Sequence, residues 1–284
     1  MSFKDTLLVL TSYPKPTPRA SVDQAMALGV ALGTNMSAIS FEIDVKVPGG
    51  SNFLADTLLN LPGIIAAEKQ KAAANARDLL DAFEVSAKQR GILGERLLER
   101  CLTALVPDLL VDHARLRDLT IIPIRDGDSI EHWYAESIVF GSGRPCMILP
   151  DPTRYDRPPT LQTVAIAWDF SRPAARAVAD ALPILQQAEL VRAITVAHEK
   201  SMKTTRSSEQ LAAHLLMHGV KVELDVIDAQ DRSIGDVLGE YVNSQKIDLL
   251  VMGAYGHSRI RDFVLGGATK SMLQKPPLPL FLSH

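Results

Sequence analysis

Hydrophobic residues along the chain fall into two alternating patterns. Short apolar runs alternate with longer stretches in which apolar positions recur every third or fourth residue. That order predicts parallel strands joined by crossover helices. In the second half, strands are expected at residues 163–168, 190–196, 220–227, 248–252 and 279–282. Helices are expected near 172–187, 208–218 and 234–244, with a last one before the fifth strand. Ser171 is placed to cap the first of these, Pro173 sits in its first turn, and Gly219 suits the end of the second. The first half predicts strands at 6–10, 37–45, 118–122 and 144–149 and helices near 21–32 and 65–88, with a loop at 47–52.

The halves repeat one plan. The run Asp118-Leu-Thr-Ile-Ile122 matches Asp248-Leu-Leu-Val-Met252, and Arg144-Pro-Cys-Met-Ile-Leu149 matches Leu278-Pro-Leu-Phe-Leu282. A spacing of about 130 residues is a duplicated domain rather than a solenoid repeat. Residues 151–160, rich in proline, are expected to run extended as a linker. The expected organisation is thus a domain at 1–150, a linker at 151–160 and a domain at 161–284. The fold class is α/β, with two tandem five-stranded parallel sheets flanked by helices.

Composition narrows the classes. The 284 residues are 46% hydrophobic, 22% charged and 5% aromatic, with a formal net charge of −3, ordinary for a folded α/β protein. No basic excess points to a nucleic-acid partner. Cys101 and Cys146 are the only cysteines, and their spacing fits no metal or redox motif, so both are expected as reduced thiols. No stretch approaches the roughly 18 apolar residues that span a bilayer. The opening segment lacks the pattern of a signal peptide, which makes the cytoplasm the expected location.

The stretch with chemical character is residues 252–269, MGAYGHSRIRDFVLGGAT. An apolar strand ends at Met252, Gly253 and Gly256 follow, and Gly266-Gly267 comes nine residues later. Glycine lets the backbone approach a ligand closely. A helix starting near Gly267 would aim free amides and the positive end of its dipole at a phosphate, with Thr269 offering a hydroxyl. The carboxyl edge of an open α/β sheet is also where such folds place ligands.

This spacing resembles the signature of the universal stress protein family: glycine, two residues, glycine, nine residues, glycine, then a small hydroxyl-bearing residue. The resemblance extends over about 161–284 and includes Asp169-Phe-Ser171 after the first strand. It implies an adenine-nucleotide α-hydrolase-like, Rossmann-like fold that binds ATP or AMP, with Mg2+ accompanying ATP. Ala167, Trp168, Asp169 and Val196 would line the base side. Met252, Gly253, Gly256, Gly266, Gly267, Ala268 and Thr269 would form the sugar–phosphate side. Arg259 would approach a terminal phosphate or belong to a solvated basic loop. Gly267 stands where the family usually has serine or threonine, so one hydroxyl contact is missing. Domains of this family pair through their last strands, which a tandem chain can do internally as a pseudo-dimer; pairing of two whole chains is left open.

The first half departs from the signature. Thr11-Ser-Tyr-Pro-Lys-Pro16 replaces the aspartate after the first strand, and Pro123-Ile-Arg-Asp-Gly127 follows Ile122 without a glycine pair. Gly141-Ser-Gly143 reads as the end of the last helix, and the phosphate loop is expected to be shortened. Trp168 either stacks on a base or belongs to the core. His198 and Glu199 read as an exposed strand end, and His214 and His218 lack the acidic partner of a zinc-protease motif. No metal site and no catalytic residue are expected. Three roles remain open: a nucleotide-binding regulatory protein, a slow ATP hydrolase, and a nucleotide-free partner-binding scaffold.

Overall fold

The computed structural model describes residues 2–44, 61–155, 160–197, 207–254 and 267–284, with Leu61 by its backbone only. Gly256, Arg259, Gly266, His198, Glu199 and the loop expected at 47–52 lie outside these residues. The first half contains β1 (Asp5–Leu10), α1 (Arg19–Leu32), β2 (Asn35–Asp44), α2 (Leu61–Arg90), β3 (Leu93–Leu102), α3 (Val106–Arg115), β4 (Leu119–Pro123), α4 (Ser129–Gly141) and β5 (Cys146–Leu149). The second contains β6 (Thr163–Ala167), α5 (Arg172–Leu185), β7 (Leu190–Ala197), α6 (Ser208–Met217), β8 (Val222–Asp228), α7 (Ile234–Ser244), β9 (Leu249–Gly253), α8 (Gly267–Gln274) and β10 (Leu280–Ser283).

All ten strands form one sheet in the order β3-β2-β1-β4-β5-β10-β9-β6-β7-β8. Each half is a five-stranded parallel sheet, and the halves meet where β5 and β10 pair antiparallel, Met147 opposite Phe281. The expected internal pseudo-dimer through the last strands is therefore present. Alternation along the strands divides the core into two layers. On one face Leu8, Ile121, Met147, Val164, Val251 and Phe281 pack with residues of α1, α2, α5 and α6. On the other, Leu7, Ile122, Ile148, Ala165, Met252 and Leu280 pack with residues of α3, α4, α7 and α8.

The repeated sequences make repeated bonds. Asp118 accepts the amides of Lys4 and Asp5 at 2.8 and 3.1 Å, and Asp248 accepts those of Gln162 and Thr163 at 3.2 and 2.9 Å. Each aspartate thus ties the start of the fourth strand of its half to the start of the first. The prolines before the last strands also correspond: Pro145 O accepts from Thr120 N and Pro279 O from Leu250 N.

Three features differ from expectation, one of them helix α3, which no expected element covers. Strand β3 has no counterpart among the expected elements. It is a sheet-edge strand, largely exposed, whose sequence LGERLLERCL carries charged residues on its open positions, and such residues blur the period-2 signal. The linker is not extended throughout, because residues 151–155 fold back as a turn. Asp151 accepts bonds from the amide and hydroxyl of Thr153 at 2.9 and 2.7 Å. Tyr155 is buried, and Gln24 of α1 donates to its carbonyl at 2.5 Å. Burial of one aromatic side chain is enough to dock this short segment on the first half.

Candidate functional site

Strands β6 and β9 lie side by side at the middle of the second half, on either side of the point where strand order reverses. Their carboxyl ends are in register, Ala167 opposite Met252. Ala167, Met252 and Val196 all pack on the face covered by α7 and α8. Three of the expected site residues are therefore brought together by strand alternation.

Trp168 is not with them. Period-2 alternation places it with Val164 and Ile166, and its ring packs on the opposite layer, tilted against Phe170 with centroids 5.5 Å apart. The ring is half-buried. Its indole nitrogen is buried without a hydrogen-bond partner in the structure. Beyond it the chain turns sharply. Asp169 accepts the amide of Ser171 at 3.0 Å, Phe170 has φ of 60°, and Ser171 caps α5 by accepting from Ala174 N at 3.2 Å. Asp169 itself is exposed at the carboxyl edge.

Gly253 ends β9 against the first turn of α5. A Cβ there would lie 2.4 Å from both Ala174 N and Pro173 C, which are backbone atoms. The glycine is therefore required by strand–helix packing, whatever else it contacts. Gly267 opens α8, and a Cβ on it would meet nothing within 4 Å. Among the described residues, then, nothing crowds Gly267 at the head of this helix; Ala268 is half-buried, and Thr269 is buried in the first turn. Amides at the head of a helix, with the positive end of its dipole, suit an anionic phosphate. Helix α8 is fixed from behind by α7, where Gly235 allows the close approach of Ser271.

The first half fills the equivalent place with its own side chains. Pro123 holds the position of Gly253: Ile124 N donates to Leu149 O at 2.8 Å as Ala254 N donates to Ser283 O at 2.8 Å. Five residues, 124–128, connect β4 to α4, where thirteen, 254–266, connect β9 to α8. Arg125 lies at the head of α4, where its Nε and terminal nitrogen donate to Glu131 Oε1 at 3.0 and 2.7 Å. The Arg125 amide reaches Glu131 Oε2 at 2.6 Å, and its guanidinium also reaches Lys15 O at 2.9 Å and Asp128 at 3.1 Å. Burial raises the Glu131 carboxyl above the ordinary range, while bonds from Arg125 pull it back. Asp128 caps α4 by accepting from Ile130 and Glu131 amides, and Gly141-Ser-Gly143 closes it, as expected from sequence.

Cys101 and Cys146 are both free and buried, and burial pushes both thiols upward. Among the described residues no three or more His, Cys, Asp or Glu side chains gather as a metal site would require. No described helix is long and apolar enough to cross a membrane.

Fold and topology together define a tandem, doubly wound, Rossmann-like α/β protein. Residues 160–284 match the universal stress protein family. A curated relative, universal stress protein Slr1230 of Synechocystis, is 27% identical over 152 residues, covering 51% of this chain and 48% of the relative. The match thus spans about half the relative's length. A universal stress protein from Archaeoglobus fulgidus superposes over 98% of this chain and 97% of its own, with TM-score 0.67 and 13% identity. A putative universal stress protein from Pseudomonas aeruginosa covers 99% and 93%, with TM-score 0.56 and 10% identity. At these identities the likeness is one of fold, and it extends over both halves.

Proposed function

We propose that the second half binds an adenine nucleotide, ATP or AMP, at the carboxyl edge of β6 and β9, and that the chain serves as a nucleotide-responsive regulatory protein rather than a dedicated enzyme. The observation that carries this reading is the head of α8 at Gly267, which nothing among the described residues crowds, in the half that keeps the glycine signature. Ala167, Val196 and Asp169 would receive the base and ribose, and the amides of Gly267–Thr269, with Gly256 and Gly266 from the signature, the phosphates. Arg259 would add charge at a terminal phosphate, and Mg2+ would screen the phosphates of ATP. No residue is assigned to catalysis. The first half is read as a domain that has replaced its ligand with the Arg125–Glu131 pair. Localisation in the cytoplasm and the domain limits 1–150, 151–160 and 161–284 belong to the same reading.

Mass spectrometry of purified, denatured protein tests it. ATP or AMP should be released at up to one per chain, and millimolar ATP should raise the melting temperature of emptied protein. A bulky replacement at Gly256 should remove that shift. An empty protein with no shift would favour the nucleotide-free scaffold.

A further inference from the structure

Helix α8 is followed by Lys275-Pro276-Pro277, and that ending leaves one of its carbonyls without a donor along the chain. The carbonyl of residue i is bonded by the amide of residue i+4, or of i+3 in a tightened last turn. For Leu273 those residues are Pro277 and Pro276, and proline has no amide hydrogen. The donor comes from the other half of the molecule. Nε2 of His132, on α4, lies 2.7 Å from Leu273 O. The same ring places Nδ1 2.5 Å from Asp128 O, one turn back on its own helix.

Both partners are carbonyl oxygens, which only accept. A neutral imidazole carries one N–H and one lone pair and can serve one of them, whereas the imidazolium serves both. A cation at this point also complements the negative end of the α8 dipole. The charged groups around the ring are Asp128 and Glu136 on the α4 side and Lys270 on α8. Burial raises the Glu136 carboxyl, and His132 and Lys270 draw it down. His132, Glu136 and Phe140 stand four residues apart and form one stripe of α4. Phe140 meets the ring of His284 edge-on at 5.2 Å, and His284 Nδ1 lies 2.9 Å from Ala254 O. This stripe of the first half therefore reaches the second at the end of α8 and beside the end of β9.

We propose that His132 is a proton-dependent latch: as the imidazolium it caps α8 from the opposite domain, so the half without a pocket governs how firmly the other holds Gly267, Ala268 and Thr269. The consequence for nucleotide affinity rests on the function proposed above; the latch itself does not.

Amide hydrogen exchange of residues 267–275 in the nucleotide-free full chain tests it. At pH 6, His132→Ala should exchange about tenfold faster there than wild type after correction for intrinsic rates, the loss of one charge-assisted bond. Exchange in β1 and β4 should stay unchanged. Wild type should lose part of its protection between pH 6 and pH 8. His132→Gln, with a donor that does not titrate, should be protected beyond the alanine variant at both pH values. Equal exchange in wild type and His132→Ala at pH 6, or a pH-dependent loss that persists in His132→Ala, would overturn the latch. If the exchange results hold and ATP fails to bind wild type, the latch stands and the nucleotide reading falls.

Discussion

The halves diverge most clearly at single residues. Where Gly253 lets the second half bring α5 against the end of β9, the first has Pro123 and, two residues on, a half-buried Arg125 against the buried Glu131. Arg125→Ala would leave that carboxylate enclosed without its partner, and losses of this kind cost about 3–5 kcal/mol. Denaturant unfolding near pH 7 should show it, with partial relief at lower pH as Glu131 protonates. Because burial raises Glu131 above its ordinary value, the folded state holds its proton more tightly than the unfolded chain does. The stability this group contributes is full below the ordinary carboxylate value of about 4.3 and is lost as pH rises through the raised one. Glu131→Gln removes that slope. Stability of wild type relative to E131Q should therefore fall from about pH 4 upward, and a flat difference across the series would contradict this. Residue-scale legibility was uneven. Ser171 as the cap of α5 was readable, because capping chemistry is local. The Arg125–Glu131 pair was not, since nothing in the five intervening residues says that both side chains turn inward.

Elements were legible wherever periodicity and burial agree. Strands β4 and β9 are largely apolar, buried runs, and the paired aspartates Asp118 and Asp248 marked them as copies. Strand β3 escaped because an edge strand with one open side takes Glu and Arg as readily as a helix does. The orientation of Trp168 was available in principle: Val164, Ile166 and Trp168 alternate with Ala165 and Ala167, so the ring had to leave the Ala167 face. Packing between elements was not visible at all. The sharpest case is Gly253, which reads as a ligand glycine but is also a contact between β9 and α5. Gly253→Ala would force the backbone of Pro173 and Ala174 aside, and overpacking of this kind costs about 1–3 kcal/mol. Urea unfolding of the apo variant should show that loss; unchanged stability would mean that the glycine is kept free for a ligand alone.

At the scale of the molecule, pairing of β5 with β10 makes one sheet of two domains, and both core layers run through the junction. The duplication and the pairing of last strands were readable from internal repeats and family resemblance. Contact between α4 and α8 was not, because it depends on the pseudo-dimer geometry. A tandem molecule built this way has two equivalent carboxyl edges, one of which holds the Arg125–Glu131 pair, and only the other is proposed to take nucleotide. Its central claim is therefore a stoichiometry. Isothermal titration of emptied protein with ATP should give one site per chain, abolished by a bulky replacement at Gly256 and retained in Arg125→Ala. Two sites per chain, or binding that survives the Gly256 replacement, would contradict the account.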